Sequence, residues 1–266
     1  MKNQITVDQE MAVLTRAGTS FGIRLLEKLA EAGIKPAIII VEHTPFTKRW
    51  KMAKFLARKI GFADALRYNL KFWTPLLIRK LTLGRYKKLP DYSRYADHVV
   101  KVKDINENRA VKALIQFGVK KIVLAQSGII KKPILSIEGL WIINCHPGKL
   151  PYYRGVDVIR WALYERQPVE VTLHLVDSGV DTGEILESRE VKIAETDSIS
   201  DVESRAINLS IDMLSDAACK GPTAYPIKRK NDRQAGKQYY LMPFKHAKRL
   251  QKQWNDIRDQ YIKGQS

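Results

Sequence analysis

Residues 10–43, EMAVLTRAGTSFGIRLLEKLAEAGIKPAIIIVEH, constrain the fold more than any other stretch of this chain. A short apolar run, MAVLT, leads through a glycine-containing turn into a segment with Ile23, Leu26, Leu29 and Ala30 on one helical face. Gly33 then stands where a left-handed C-cap is needed. The run PAIIIVE follows, and β-branched residues without polar alternation indicate a strand buried on both faces, as in a parallel sheet. Strand, helix and strand in this order make a βαβ unit. Its turn, RAGTSFG, is not the G-x-G-x-x-G of a dinucleotide fingerprint.

A second unit lies further on. NENRAVKALIQFGVKKIVLAQS predicts a helix with Val111, Leu114 and Ile115 inward, then the strand KKIVLAQ. LWIIN is the next apolar run, VDVIRWALYERQ the next helix, and VEVTLHLVD and GEILESREVKI read as two further strands. Strands alternating with helices imply an α/β fold, a Rossmann-like, mostly parallel sheet flanked by helices. Sites in such folds gather at the carboxyl ends of strands. Asn144 and His146 then stand just past the strand LWII, and Asp181 just past VTLHLVD.

Charge is spread unevenly. The chain of 266 residues carries a net +18, of which residues 48–90 contribute +12 and residues 227–266 contribute +8, with the stretch between slightly acidic. Such blocks favour anionic partners. In the first block apolar residues recur at helical spacing, at Met52, Phe55 and Leu56 and again at Leu66, Leu70, Trp73 and Leu77, with Pro75 set to kink the second segment. This predicts an inserted basic amphipathic hairpin: a lid, an acceptor-binding surface, a contact with anionic membrane, or a packing excursion over a sheet edge. Two cysteines, Cys145 and Cys219, do not make a disulfide framework, and with no apolar N-terminal segment the expectation is a cytoplasmic protein with reduced thiols.

The stretch WIINCHPGKLPYYRG, residues 141–155, ends an apolar run on polar residues. Taken singly, Asn144 and Pro147-Gly148 are turn residues, His146 is structural, Cys145 is a buried thiol and Asp181 caps a turn. Together, NCHPGKLPYYRG, a helix containing WAL, and VTLHLVDSGVDTGEIL form an ordered pattern. It resembles the formyltransferases that use N10-formyltetrahydrofolate, from about residue 109 to 193. Those include methionyl-tRNA formyltransferase, glycinamide ribonucleotide formyltransferase and the sugar N-formyltransferases. The likeness is weaker over the first βαβ unit and absent from residues 48–90.

The resemblance implies a formyltransferase fold, with a catalytic domain over residues 1–205 holding the 48–90 insertion and a small helical or irregular extension over 206–266. It implies catalysis by Asn144, His146 and Asp181. An amine attacks the formyl carbon, charge develops on the formyl oxygen, and the site must stabilise that charge and take up a proton. Asn144 and His146 are the expected donors, with Asp181 the partner of His146. The donor N10-formyltetrahydrofolate is expected against two loops, Ser127, Gly128, Ile129 and Ile130 in AQSGII and Val176, Asp177 and Gly179 in the DSGVD region. No metal is required, and the remaining histidines, His43, His98, His174 and His246, have no zinc spacing. HPG where tRNA-type members usually have HPS, LPYYRG, a C-terminal Y-Y-x-M-P element and little chain for a C-terminal β-barrel favour an amino sugar on a nucleotide as acceptor. The two basic blocks keep an RNA-linked amine open, and a non-catalytic binding module on the same scaffold is the third reading.

Overall fold

The computed structural model describes residues 6–68 and 90–265. Strands β1 (Thr6–Arg16), β2 (Ile34–Glu42), β3 (His98–Val102), β4 (Lys121–Ala125) and β5 (Trp141–His146) pair in parallel. Two more main-sheet strands, β7 (Glu170–Leu175) and β8 (Ile185–Glu190), complete a seven-stranded sheet in the order β3-β2-β1-β4-β5-β7-β8. The expected parallel core is present. The addition of β7 and β8 is antiparallel, with Asn144 opposite His174 and His146 opposite Thr172. The carboxyl end of β7 therefore lies beside the middle of β5, not beside its end. A separate ribbon pairs β6 (Tyr153–Gly155) with β9 (Lys237–Tyr239).

Strand alternation divides the interior in two. Met11, Val13, Ile39, Val41, Val123, Ile143 and Cys145 face one side, where α1 (Ser20–Glu31) and α6 (Ile199–Lys220) cover them. Ala12, Leu14, Ile38, Ile40, Ile122, Leu124 and Ile142 face the other, under α3 (Asn108–Gln116) and α4 (Lys132–Leu135). Between β2 and β3 runs α2 (Phe46–Ile60), and α5 (Val158–Tyr164) follows β6. The chain closes with α7 (Phe244–Lys252) and α8 (Trp254–Gln265).

The sequence periods are adjusted in places. In α1 the buried stripe is Phe21, Leu25, Leu26 and Leu29, so Ile23 and Ala30 sit at its half-buried margin. Gly22 is required there: a Cβ would lie 2.1 Å from Thr15 Oγ1 on β1. In α3 the stripe is Ala110, Ala113 and Leu114, and Ile115 is 59% exposed. Each helical residue turns by about 100°, which carries Ile115 off the edge of a stripe centred on Leu114. Gly33 has φ 78° after the C-cap, as expected.

A division at 205/206 falls inside α6. That helix starts with a capping box, in which the Ser198 hydroxyl accepts from Asp201 N and Asp201 Oδ2 accepts from Ser198 N, an arrangement that stabilises a helix by about 1 kcal/mol. It continues unbroken past 206 with Val202, Ala206, Met213, Leu214 and Ala217 fully buried. In the basic block, α2 and a helical stretch over 62–68 are described, with Leu56 buried and Phe55 and Leu66 exposed. The expectations for Leu70, Trp73, Pro75 and Leu77 fall outside the described residues. Among the described residues no helix is long and apolar enough to cross a membrane.

Candidate active site

The antiparallel pairing of β5 with β7 creates the site. Residues directly opposite across such a pair share a face. Asn144, His146, Thr172 and His174 therefore project together, on the face that Ile142 shares, while Ile143, Cys145 and Leu173 pack under α6. Instead of apolar residues under a helix, this end of the sheet carries polar residues under loops. Asn144 and His146 lie within β5, at its end, where the sequence had placed them after it.

His146 is 4% exposed. Its Nε2 lies 2.8 Å from the Tyr153 carbonyl, which can only accept, so Nε2 carries a hydrogen. Its Nδ1 lies 3.5 Å from Asp181 Oδ2. Asp181 holds a left-handed φ of 53°, and its Oδ2 accepts from Gly155 N at 2.9 Å. Asn144 Nδ2 lies 3.2 Å from His174 Nε2. His174 Nδ1 donates to the Leu175 carbonyl at 2.6 Å, which leaves Nε2 as the acceptor for Asn144. Burial pushes the His174 pKa below the ordinary histidine value, against the opposing pull of Asp181. With Nδ1 donating to Leu175 and Nε2 facing the Asn144 amide donor, the 3.8 Å approach of His174 Nε2 to Asp181 Oδ1 brings no N–H to the carboxylate. A neutral His174 fixes the Asn144 amide through one N–H and leaves the other for a ligand oxygen.

Thr172 sets the turn beyond β5. Its hydroxyl donates to the Gly148 carbonyl at 2.7 Å and accepts from Leu150 N at 3.3 Å. Gly148 has no room for a side chain: a Cβ would stand 2.7 Å from His146 Nε2 and 2.8 Å from the Tyr153 carbonyl. The buried Cys145 thiol is driven well above the usual range by desolvation, and its side chain points away from the site.

The residues expected at the folate are placed unequally. Ile130 is 2% exposed and belongs to the core under α3 and α4, with Val176 packed on the same cluster. Ile129 is 62% exposed, and Asn106 staples this loop by donating to the Ile129 carbonyl and accepting from Lys131 N. A Cβ at Gly128 would come 2.8 Å from Glu42 Oε2, so the buried Glu42 side chain already demands glycine there. Ser127 is half-buried and donates to the Gly128 carbonyl. Asp177 accepts from Gly179 N at 2.9 Å, from the Thr182 hydroxyl and from Arg233. A Cβ on Gly179 would lie 2.0 Å from Thr182 Oγ1, so this loop is a tight turn closed by its own side chains. It carries the chain from the end of β7 back to Asp181 beside His146.

Two contributors were not read from the sequence. His174 has no zinc spacing to mark it in the sequence, although Thr172 and His174 are the polar positions of an alternating strand. Asn231, in the basic tail, is 8% exposed and donates to the carbonyls of Asp181 and Gly183. Among the described residues no group of three or more His, Cys, Asp or Glu side chains could hold a metal ion.

A family model described as formyl transferase matches residues 9–218, a span that holds the whole main sheet except the first residues of β1. The chain belongs to the formyl transferase family. The methionyl-tRNA formyltransferase of Thermosynechococcus vestitus is 36% identical over 96 residues, 36% of this chain and 29% of that protein. That of Thermodesulfovibrio yellowstonii is 39% identical over 99 residues, 36% of this chain and 31% of that protein. The match thus spans less than a third of the length of these curated relatives. Among solved structures, a sugar N-formyltransferase from a Shewanella species superposes with a TM-score of 0.55 at 15% identity, covering 90% of this chain and 86% of that one. An N-formyltransferase from Helicobacter canadensis, solved with folinic acid and dTDP-3-aminofucose, gives 0.51 at 14% identity, over 86% and 70%. Identities this low establish a common fold.

Proposed function

We propose that this chain transfers a formyl group from N10-formyltetrahydrofolate to the amine of a nucleotide-linked amino sugar, through Asn144, His146 and Asp181. The observation that carries the reading is that Asn144 and His146 share one face of β5 and the loop after β7 brings Asp181 to them, with His146 Nδ1 3.5 Å from Asp181 Oδ2. The described residues fit the donor at two points, the uncommitted N–H of Asn144 and the exposed apolar Ile129 beside Ser127 and Gly128. Bound formyltetrahydrofolate supplies a formyl carbon open to attack by an amine. Asn144 donates its remaining N–H to the formyl oxygen as negative charge builds there. His146, held between Tyr153 and Asp181, adds positive charge beside that oxygen when protonated. Asp181 takes the proton that the amine releases on forming the new C–N bond. Ser127, Gly128 and Ile129 and the turn of Asp177 and Gly179 flank the donor, with Ile130 and Val176 packed in the core behind them.

The acceptor is assigned on local features. LPYYRG pairs with the Y-Y-x-M-P arm through β6 and β9, so the two elements that suggest a sugar substrate form one wall beside Asp181. The Helicobacter canadensis relative, which shares the fold, was solved with a nucleotide-linked amino sugar. A diphosphate suits lysine and arginine partners. The charge of the 48–90 and 227–266 blocks favours a second reading, an RNA-linked amine as in the named tRNA enzymes. Incubation with formyltetrahydrofolate and, separately, nucleotide-linked amino sugars and aminoacylated tRNA tests both. Transfer to sugar with weak salt dependence is expected. A log–log salt slope equal to about six or more released counterions, with transfer to tRNA, overturns the sugar assignment. Transfer to neither overturns both.

A further inference from the structure

We propose that Asn231 is a positioning residue of the active site, acting through the Asp181 carboxylate. The inference rests on the formyl-transfer reading for its kinetic test, but its structural basis is independent of the acceptor.

Asp181 is held in an unfavourable place. Its φ of 53° lies in the left-handed region, which non-glycine residues seldom occupy without support. Asn231 gives that support from outside the local sequence. Its Nδ2 donates to the Asp181 carbonyl at 3.0 Å and to the Gly183 carbonyl at 2.9 Å, so one amide holds the backbone on both sides of Thr182. Gly183 cannot shift to compensate, because its Cα packs on the Leu175 carbonyl, which a Cβ would meet at 1.9 Å. The opposite end of the Asp181 residue is set by Gly155 N on Oδ2. With main chain and carboxylate both tied, the distance to His146 is fixed from two directions.

The segment around Asn231 is itself anchored to both halves of the site. Ile185 N donates to the Arg229 carbonyl and Lys228 N to the Ile185 carbonyl, so this segment adds to the sheet at the start of β8. The Arg229 guanidinium donates to the Leu150 carbonyl at 2.9 Å, and Arg154 donates to the carbonyls of Arg233 and Gly236. The same arm thus grips the turn after β5 and the loop that carries Asp181.

The Asn231 side chain is used for its donors. It is buried, both amide protons are spent on carbonyls, and its Oδ1 has no hydrogen-bond partner among the described residues. A buried amide with an unmatched oxygen is a poor choice for stability alone. The two N–H groups are what an apolar side chain at this position would not supply.

The test uses the full chain with Asn231→Leu, which removes both donors, and Asn231→Asp, which keeps the shape and turns acceptors toward the two carbonyls. Thermal melts confirm folding of each. In the parent background kcat is expected to fall about 30-fold, with KM for donor and acceptor within about threefold; in an Asp181→Ala background the same substitutions should cost less than about threefold, since residues acting as a unit are not additive. In parallel, the ¹⁵N shift of His146 Nδ1 should move in both Asn231 variants in the direction it moves in Asp181→Ala. Equal losses in the two backgrounds, or an unmoved His146 signal, overturn the proposal. If the parent chain transfers no formyl group, the formyl-transfer reading falls, and the His146 signal alone decides whether Asn231 positions Asp181.

Discussion

Replacing Asp181 by asparagine isolates charge from shape. The amide retains an oxygen for Gly155 N, so the loop keeps its anchor. The loss is one negative charge 3.5 Å from His146 Nδ1, between side chains only 5% and 15% exposed. At an effective dielectric of about 20, two unit charges at this distance attract by roughly 4–5 kcal/mol. If the transition state uses that attraction and the ground state does not, its loss corresponds to about three orders of magnitude in rate at roughly 1.4 kcal/mol per decade. Asp181→Asn should therefore lower kcat about 10³-fold, leave both KM values within a few-fold and melt within a few degrees of the parent. Rapid-quench single turnovers at saturating formyl donor, with the product followed by mass spectrometry, measure this directly. A variant within tenfold of the parent rate would refute the assignment of Asp181 as the charge partner of His146.

Gly148→Ser places a Cβ between His146 Nε2 and the Tyr153 carbonyl, so it should lower kcat at least tenfold with little change in donor affinity by equilibrium titration; parent-like turnover would show that this hydrogen bond is dispensable. His174 titrates below its unfolded value of about 6.5, so the unfolded chain binds the proton first and stability falls as pH drops through that value. His174→Asn keeps a donor for the Leu175 carbonyl without a titrating group, and its melting deficit relative to the parent should narrow from pH 7.5 to 5.5, whereas parallel curves count against a neutral buried imidazole. Cys145, whose thiol burial holds un-ionised, should resist alkylation in the native protein and react only in denaturant; native labelling measured by peptide mass would contradict its packing under α6.

What could be read from the sequence was local. The first βαβ unit shows in a helical period followed by a β-branched run, and Asn144 and His146 share a face because strand side chains alternate. His174 was missed because its role depends on the direction and register of β7 against β5. Alternation in VTLHLVD marks a strand but carries no sign of whether its neighbour runs parallel or antiparallel. The same gap put Asp181 at a carboxyl strand end, when it returns to His146 by the turn that Asp177, Gly179 and Thr182 close. A limit drawn at 205/206 follows where the strong motifs end, whereas α6 runs on through that point as one amphipathic helix with no change in composition. Asn231 had no period or motif around it. Only the pairing of Lys228 and Arg229 with Ile185 brings it under Asp181.

The tail and the internal basic block meet beside this site, and that meeting divides their charges by role. Lys59 Nζ lies 4.8 Å from the centre of the Tyr240 ring, against which Phe55 also packs edge-on, and the Arg67 guanidinium lies 4.7 Å from the centre of the Phe244 ring. Contacts of this kind at exposed positions contribute about 0.5–1 kcal/mol each. The arm they touch continues inward: the Tyr240 carbonyl accepts from Trp161 Nε1, and Met242 N donates to Asp157, two residues after the glycine that holds Asp181. Lys59 and Arg67 are thus partly spent on holding the start of the insertion to the wall of the site. Lys51 and Arg58 lie exposed on the same helix block and have no such ring contact among the described residues. Of the basic residues in 48–90, Lys59 and Arg67 thus have a packing role against the tail in addition to the charge they keep at the surface.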